Sequence, residues 1–103
     1  MRASENARLK AWRAANPEKA RAQRRKQRYA LDTSSFARLL ATQSNQCAIC
    51  RSPEPGCVDH CHVTGRVRGI LCRSCNIALG QFRDDPRIVL AAAAYVEDAR
   101  RSP

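Results

Sequence analysis

Large apolar residues are sparse at the start of the chain and gather into short, regular groups only further along. Residues 1–31 are rich in Ala, Arg, Gln and Lys, all good helix formers, with a thin apolar stripe marked by Trp12, Tyr29 and Leu31. Within them "NPEKARAQRRKQRYAL" carries a helix start: Asn16 as cap, Pro17 at the first helical position and Glu18 in the first turn. Pro17 should therefore break or kink any helix before it. In "DTSSFARLLATQ", Phe36, Leu39 and Leu40 fall on one face of a short helix that Asp32, Thr33 or Ser34 can cap, and they read as core. The period then shortens. "VDHCHV" and "RVRGIL" flank Thr64-Gly65 and predict a β-hairpin. "CRSCNIALGQF" begins as a turn and runs into a helix ending near Gly80. "DDPRIVLAAAAYVEDARR" repeats the helix-start logic with Asp84 or Asp85 as cap, then Pro86, and with Ile88, Leu90 and Tyr95 available for packing. The pattern is α+β, with no internal repeat. It divides into a basic helical arm over 1–31 and a core with a C-terminal helix over 32–103.

Charge sharpens the division. The formal net charge is +10, and ten of the nineteen Lys and Arg fall in the first thirty residues, against only Glu5 and Glu18. Such a balance points to a polyanionic partner, nucleic acid before membrane. The helix of the arm is expected to lay cations on a phosphate backbone, whereas a solvated, frayed tail is the plainer alternative. No run of eighteen apolar residues marks a membrane span. Arg2 and Glu5 lead into polar sequence rather than a signal peptide, so an intracellular protein is expected.

Without the arm, roughly seventy residues remain, a size at which burial alone rarely holds one state and a structural metal often helps. Cys47-x-x-Cys50 and Cys72-x-x-Cys75, twenty-one residues apart, can present four thiolates to one tetrahedral Zn²⁺. Such a closed site is structural, since it leaves no position for water or substrate. Cys57 and Cys61 are left over. A second zinc site with His60 and His62 is disfavoured, because neighbouring strand residues point to opposite faces. Three disulfides in a secreted scaffold would need an export signal.

Asp59, His60, His62 and Asn76 remain as polar side chains without a structural task. Both histidines of the chain lie in "CVDHCHVTGRVRGILCRSCN", residues 57–76. With "CAIC" before it, "ALG" after it and "LDTSSFARLLATQ" leading in, this stretch resembles the recombination endonuclease VII family of phage HNH nucleases. The likeness covers about residues 31–98. It implies a small zinc-stapled ββα-metal (HNH, His-Me finger) core carrying a Mg²⁺-dependent DNA endonuclease, in the cytoplasm of a bacterial host. His60 would be the general base, its ordinary pKa near ~6.5 suiting the task. Asp59 and Asn76 would hold Mg²⁺, for which Mn²⁺ can substitute, through the oxygen ligands a hard cation prefers. His62 would orient the phosphate or assist His60. Arg21, Arg24, Arg25, Lys26 and Arg28 in the arm, with Arg66 and Arg68 on the hairpin, are the expected DNA contacts.

Several points stay open at this stage. A regular strand aims Asp59 and His60 apart, so the strand must twist locally or the two must act from different sides of the phosphate. Asn76 can serve as a helix cap as well as a ligand. Cys57 and Cys61 depart from the family pattern. So does the C-terminus, since the best-known architecture continues into a long helical dimerisation region. Monomer and dimer are therefore both open. Cleavage of branched DNA stands beside nicking or packaging-associated cleavage, and beside a non-catalytic zinc module that binds DNA.

Overall fold

The computed structural model describes residues 2–102. The chain divides into two compact units, one ending at Thr42 and the other beginning at Gln43. This boundary falls after the third helix, whereas the pattern of charge divides the chain at residue 31.

The first unit is helical: α1 spans Arg2–Ala15, α2 Pro17–Tyr29 and α3 Thr33–Thr42. Pro17 does interrupt the helix, but Asn16 works backwards rather than forwards. Its side-chain Nδ2 and its backbone N–H both donate to the Trp12 carbonyl, at 2.9 and 2.8 Å, and so close α1. Its side chain makes no capping bond to α2. Ala30 in the left-handed region ends α2, and the Leu31 N–H reaches back to the Arg25 carbonyl at 3.2 Å. Asp32 caps α3, its Oδ1 accepting from the Ser35 N–H at 2.8 Å. Phe36, Leu39 and Leu40 are only half-buried.

The second unit holds the sheet. Strands β1 (Cys57–His60) and β2 (Val67–Leu71) form an antiparallel hairpin. Helix α4 covers Arg73–Gln81 and α5 covers Pro86–Arg101, and α4 packs against both strands. The register runs Cys57 with Leu71, Val58 with Ile70 and Asp59 with Gly69, then slips so that His60 faces Val67. Arg68 is the extra residue at the slip, which raises the local twist and re-aims the side chains around it. The turn closes through the Cys61 N–H on the Arg66 carbonyl (2.8 Å) and the Gly65 N–H on the Cys61 carbonyl (2.7 Å). Gly65 sits there at φ +76°, where a side chain is unfavourable. The strands are shorter than the pattern suggests, and His62 lies in the turn rather than on β1.

Among the described residues the buried apolar ones are few: Cys47, Pro55, Ile70 and Leu71. Their burial cannot by itself offset the conformational entropy of ordering the chain around them. Gln43 supplies part of what is missing. Its Nε2 donates to the carbonyls of Gln46 (2.9 Å) and Ile70 (2.8 Å), and its Oε1 accepts from the Ile70 N–H at 2.8 Å. The side chain thus acts as a short extra strand on β2. Glycine at 69 permits this approach, since a Cβ there would come within 3.1 Å of the Gln43 Oε1. The Ala48 N–H also donates to the Ile70 carbonyl, at 3.2 Å, which docks the first cysteine turn on the same strand.

In the second unit the structure selects one of the two expected caps of α5 and leaves the helix's apolar stripe uncovered. Asp85 alone caps α5, its Oδ1 accepting from the Arg87 N–H at 2.9 Å, and Asp84 is used elsewhere. Ile88, Leu90 and Tyr95 lie exposed along α5 instead of packing. No helix among the described residues is long and apolar enough to cross a membrane.

Candidate functional site

Two tight turns bring four sulfurs together. In the first, the Cys47 N–H donates to the Ser52 carbonyl (2.8 Å) and the Arg51 N–H to the Cys47 carbonyl (3.1 Å), with Arg51 at φ 64°. In the second, Cys72 is the N-cap of α4, and its sulfur accepts from the Cys75 N–H at 3.4 Å. The sulfurs of Cys47, Cys50, Cys72 and Cys75 all lie within 4.8 Å of one another. A tetrahedron with Zn–S near ~2.3 Å sets its sulfurs roughly 3.8 Å apart. The Cys50 and Cys72 sulfurs are 3.7 Å apart. This set can hold a metal such as zinc.

The thiols already differ in their hold on protons. Burial pushes Cys47 up, but backbone hydrogen bonds from Cys72, Cys50 and Ile49 outweigh it and bring the thiol down to about 6. Burial, then hydrogen bonds among the neighbouring sulfurs, push Cys75 up to about 12. Four adjacent thiolates repel unless a cation lies among them, and a divalent metal removes that conflict. Cys57 and Cys61 stand outside the cluster. The Cys61 thiol is lowered by the Thr64 hydroxyl and by the backbone N–H groups of Thr64 and Val63.

Beside the cluster, the hairpin carries the other expected site residues. Asp59 is buried at the register slip, and His60 follows it half-buried. The His60 and His62 rings approach to 4.9 Å between centroids, tilted by 56°. Asn76 is half-buried inside the first turns of α4 rather than at its cap, because the helix opens at Arg73, capped by the sulfur of Cys72, four residues before Asn76.

Arg68, expected as a DNA contact, is held by two carboxylates. Its Nε and Nη2 donate to Asp59 Oδ2 (2.8 Å) and Oδ1 (3.0 Å). Its Nη2 and Nη1 donate to Asp84 Oδ1 (2.7 Å) and Oδ2 (3.0 Å). The two carboxylates hold the Arg68 guanidinium above even its ordinary high range, against partial burial. Hydrogen bonds from Arg68 keep the Asp84 carboxyl below its usual range, again against partial burial, with smaller contributions from the charges of Arg68, His62 and His60. Asp84 was not apparent as a site residue from sequence. The available signal was a surplus: two aspartates precede Pro86, and one suffices to cap α5.

The basic unit also sorts its cations. Arg24 and Arg28 line an open cavity of about 410 Å³ with Arg13, Ala20, Gln23 and Gln27. Arg25 packs instead of projecting: its guanidinium carbon lies 3.9 Å from the centre of the Phe36 ring, and its Nε is buried without a hydrogen-bond partner. Arg21 pairs with Glu18 on the surface, an arrangement that contributes little to stability. Lys26 and Arg66 are exposed.

The family described as recombination endonuclease VII matches this chain over residues 22–98, a span that takes in all four clustered cysteines, the hairpin, α4 and most of α5. No curated protein and no solved structure matches it.

Proposed function

The chain belongs to the recombination endonuclease VII family, and from that premise we propose a Mg²⁺-dependent endonuclease with a zinc-stapled ββα-metal (HNH) core that cuts branched or nicked DNA. Membership itself makes the protein a nuclease, a hydrolase whose substrate is DNA. The finer reading rests most heavily on one observation: the hairpin gathers Asp59, His60 and His62 at a register slip, next to the paired cysteine turns that brace it. The order β1–β2–α4 supports the ββα assignment. Zinc held by Cys47, Cys50, Cys72 and Cys75 is the brace and takes no part in the chemistry.

In this reading an imidazole nitrogen of His60 takes the proton of the attacking water as the new P–O bond forms and the P–O3′ bond breaks. His62 steadies the phosphate from across the 4.9 Å gap. Asp59 and Asn76 would hold the Mg²⁺, which when bound neutralises charge on the phosphate and on the departing 3′ oxygen. The donor set suits that ion. Each Asp59 oxygen accepts one bond from Arg68 and keeps a second lone pair. Magnesium is commonly held by one or two carboxylates together with substrate phosphate, not by an all-protein cage. Arg24 and Arg28 with Arg13 in the basic cavity, and exposed Arg21, Lys26 and Arg66, contact the phosphate backbone.

The test is cleavage of supercoiled plasmid and of a four-way junction by zinc-loaded protein, with Mg²⁺ and with chelator. Cutting that requires Mg²⁺ is expected, and the faster substrate separates nicking from branch cleavage. Tight DNA binding without cutting of either would make the protein a zinc-braced binding module.

A further inference from the structure

Arg68 gives each of two carboxylates a two-point grip, so the three planar groups fix one another's orientation. They come from different parts of the second unit. Asp59 lies on β1, Arg68 is the extra residue at the register slip on β2, and Asp84 lies in the turn between α4 and α5. That turn is firmly held. Arg83 and Asp84 both sit in the left-handed region, at φ 57° and 55°, and the Asp84 N–H donates to the Leu79 carbonyl at 2.8 Å. The Asp59 and Asp84 side chains are only 12% and 18% exposed, whereas Arg68 between them is 38% exposed, so water and salt screen the carboxylates less than the guanidinium they share.

The charge count matters more than the geometry alone. Asp59 with Arg68 is a neutral pair, and a neutral pair offers a divalent cation little net attraction. Adding Asp84 returns the group to a net charge of −1. A guanidinium shared between two carboxylates also competes less strongly for either one. We propose that Asp84 is a positioning residue for DNA hydrolysis. By holding Arg68 from the α4–α5 turn it fixes the orientation of the Asp59 carboxylate, and it leaves the site negative enough to take a divalent cation. The inference rests on the nuclease reading above.

The experiment uses the full, zinc-loaded chain and its Asp84→Asn, Asp84→Glu and Arg68→Lys variants. Three quantities are measured: the Mg²⁺ concentration at half-maximal cleavage, the maximal rate at saturating Mg²⁺, and the affinity for Mn²⁺ without DNA, read from the electron paramagnetic resonance of free Mn²⁺. Asp84→Asn removes a negative charge one residue beyond the proposed ligand Asp59, and should weaken Mn²⁺ binding and raise the half-activating Mg²⁺ by up to about tenfold, the lower end of the cost of losing an outer partner of a metal site. Its maximal rate at saturating Mg²⁺ should fall no further than that of Arg68→Lys, because the reacting groups are intact and only the hold on Arg68 is lost. Asp84→Glu restores the charge and should recover most of the affinity. Arg68→Lys keeps the charge but cannot grip both carboxylates, so it should lower the maximal rate while leaving Mn²⁺ affinity near wild type.

Zinc content and thermal melting report folding. If Asp84→Asn loses zinc, Asp84→Glu and Arg68→Lys carry the test. Wild-type Mn²⁺ affinity and Mg²⁺ dependence in folded Asp84→Asn would overturn the proposal and leave the nuclease reading standing. A fall in maximal rate with unchanged metal dependence would overturn it too. A wild-type protein that neither binds Mn²⁺ nor cuts would overturn both.

Discussion

The segment up to Thr42 is three helices with no fully buried residue among those described, whereas the segment from Gln43 on buries Cys47, Ile70, Leu71 and Asp59. The first relies on contacts three or four residues apart. Its backbone bonds close within each helix, its ends are finished by Asn16, Ala30 and Asp32, and its side chains stay available to solvent and partner. The second relies on contacts that join distant residues: Gln43 to Ile70, Asp59 to Arg68 to Asp84, and Cys50 to Cys72. Non-local contacts cost loop entropy before they stabilise anything, and this unit has few apolar residues to offset that cost. A metal shared by two distant turns offsets it directly. Under the proposed function this contrast becomes a division of labour, with affinity on the local helices and chemistry on the cross-braced hairpin.

Metal removal should break the contrast most sharply. Chelation, or Cys47→Ser, should abolish the cooperative unfolding of the second unit, since zinc binding of about 10–16 kcal/mol in small domains is largely folding free energy. Trp12 is the only tryptophan and lies in the first unit, so its fluorescence should change far less than zinc release and the thermal melt. One zinc per chain is expected. Two, or an unchanged melt after chelation in reductant, would contradict the brace.

Next in size is His60→Ala, which should reduce Mg²⁺-dependent cleavage by roughly a hundredfold to ten-thousandfold. Zinc content and DNA affinity should both persist. Asp59→Ala and Asn76→Ala should also inactivate, but raised Mg²⁺ should partly rescue them and should not rescue His60→Ala. A folded, zinc-loaded His60→Ala protein that cuts at the normal rate would remove the chemistry from the hairpin.

A smaller effect tests the bracing itself. Gln43→Ala removes three hydrogen bonds and leaves the part-buried Ile70 N–H without that partner, at a cost of about 1–3 kcal/mol, while the Ile70 carbonyl keeps the Ala48 N–H. The melting temperature of the zinc-loaded protein should fall. An unchanged melt would show that the cysteine turns alone hold β2.

The gentlest prediction concerns the basic unit. Arg24→Ala with Arg28→Ala should flatten the dependence of log K on log salt by roughly 0.9 for each phosphate no longer neutralised. Maximal cleavage rate at saturating DNA should be retained. Arg25→Ala should leave that slope alone and slightly lower helix stability, since its cation stacks on Phe36. If Arg25 moves the slope and the other two do not, the cavity is not the DNA-facing surface.

Much of the fold is encoded locally. Pro17 and Pro86 announce their helices, Thr64-Gly65 announces the turn, and each Cys-x-x-Cys announces its own tight turn, because each signal needs only its near neighbours; the match of two such pairs then points to the sulfur cluster. What sequence pattern missed depends on partners far along the chain. Arg68 and Arg25 read as free cations because nothing nearby reveals the carboxylates at 59 and 84 or the ring at 36. Gln43 is silent because its role is set by a backbone twenty-seven residues away. The apolar spacing of α5 promised packing, yet Leu90 and Tyr95 lie exposed, since periodicity shows a face without saying whether anything covers it.

Position 72 has an unusually narrow mutational future. Its sulfur belongs to the set that can hold a metal and also finishes the start of α4. Serine would preserve the helix start but is a poor zinc ligand, and histidine would ligate but lacks a short acceptor for the Cys75 N–H. Cys50 is exposed and has no capping role, so histidine there would still complete a recognised Cys₃His set. Drift within the cluster should therefore be lopsided: tolerant at the outer turn, and closed at the one atom through which loss of the metal would also unpick the helix that carries Asn76.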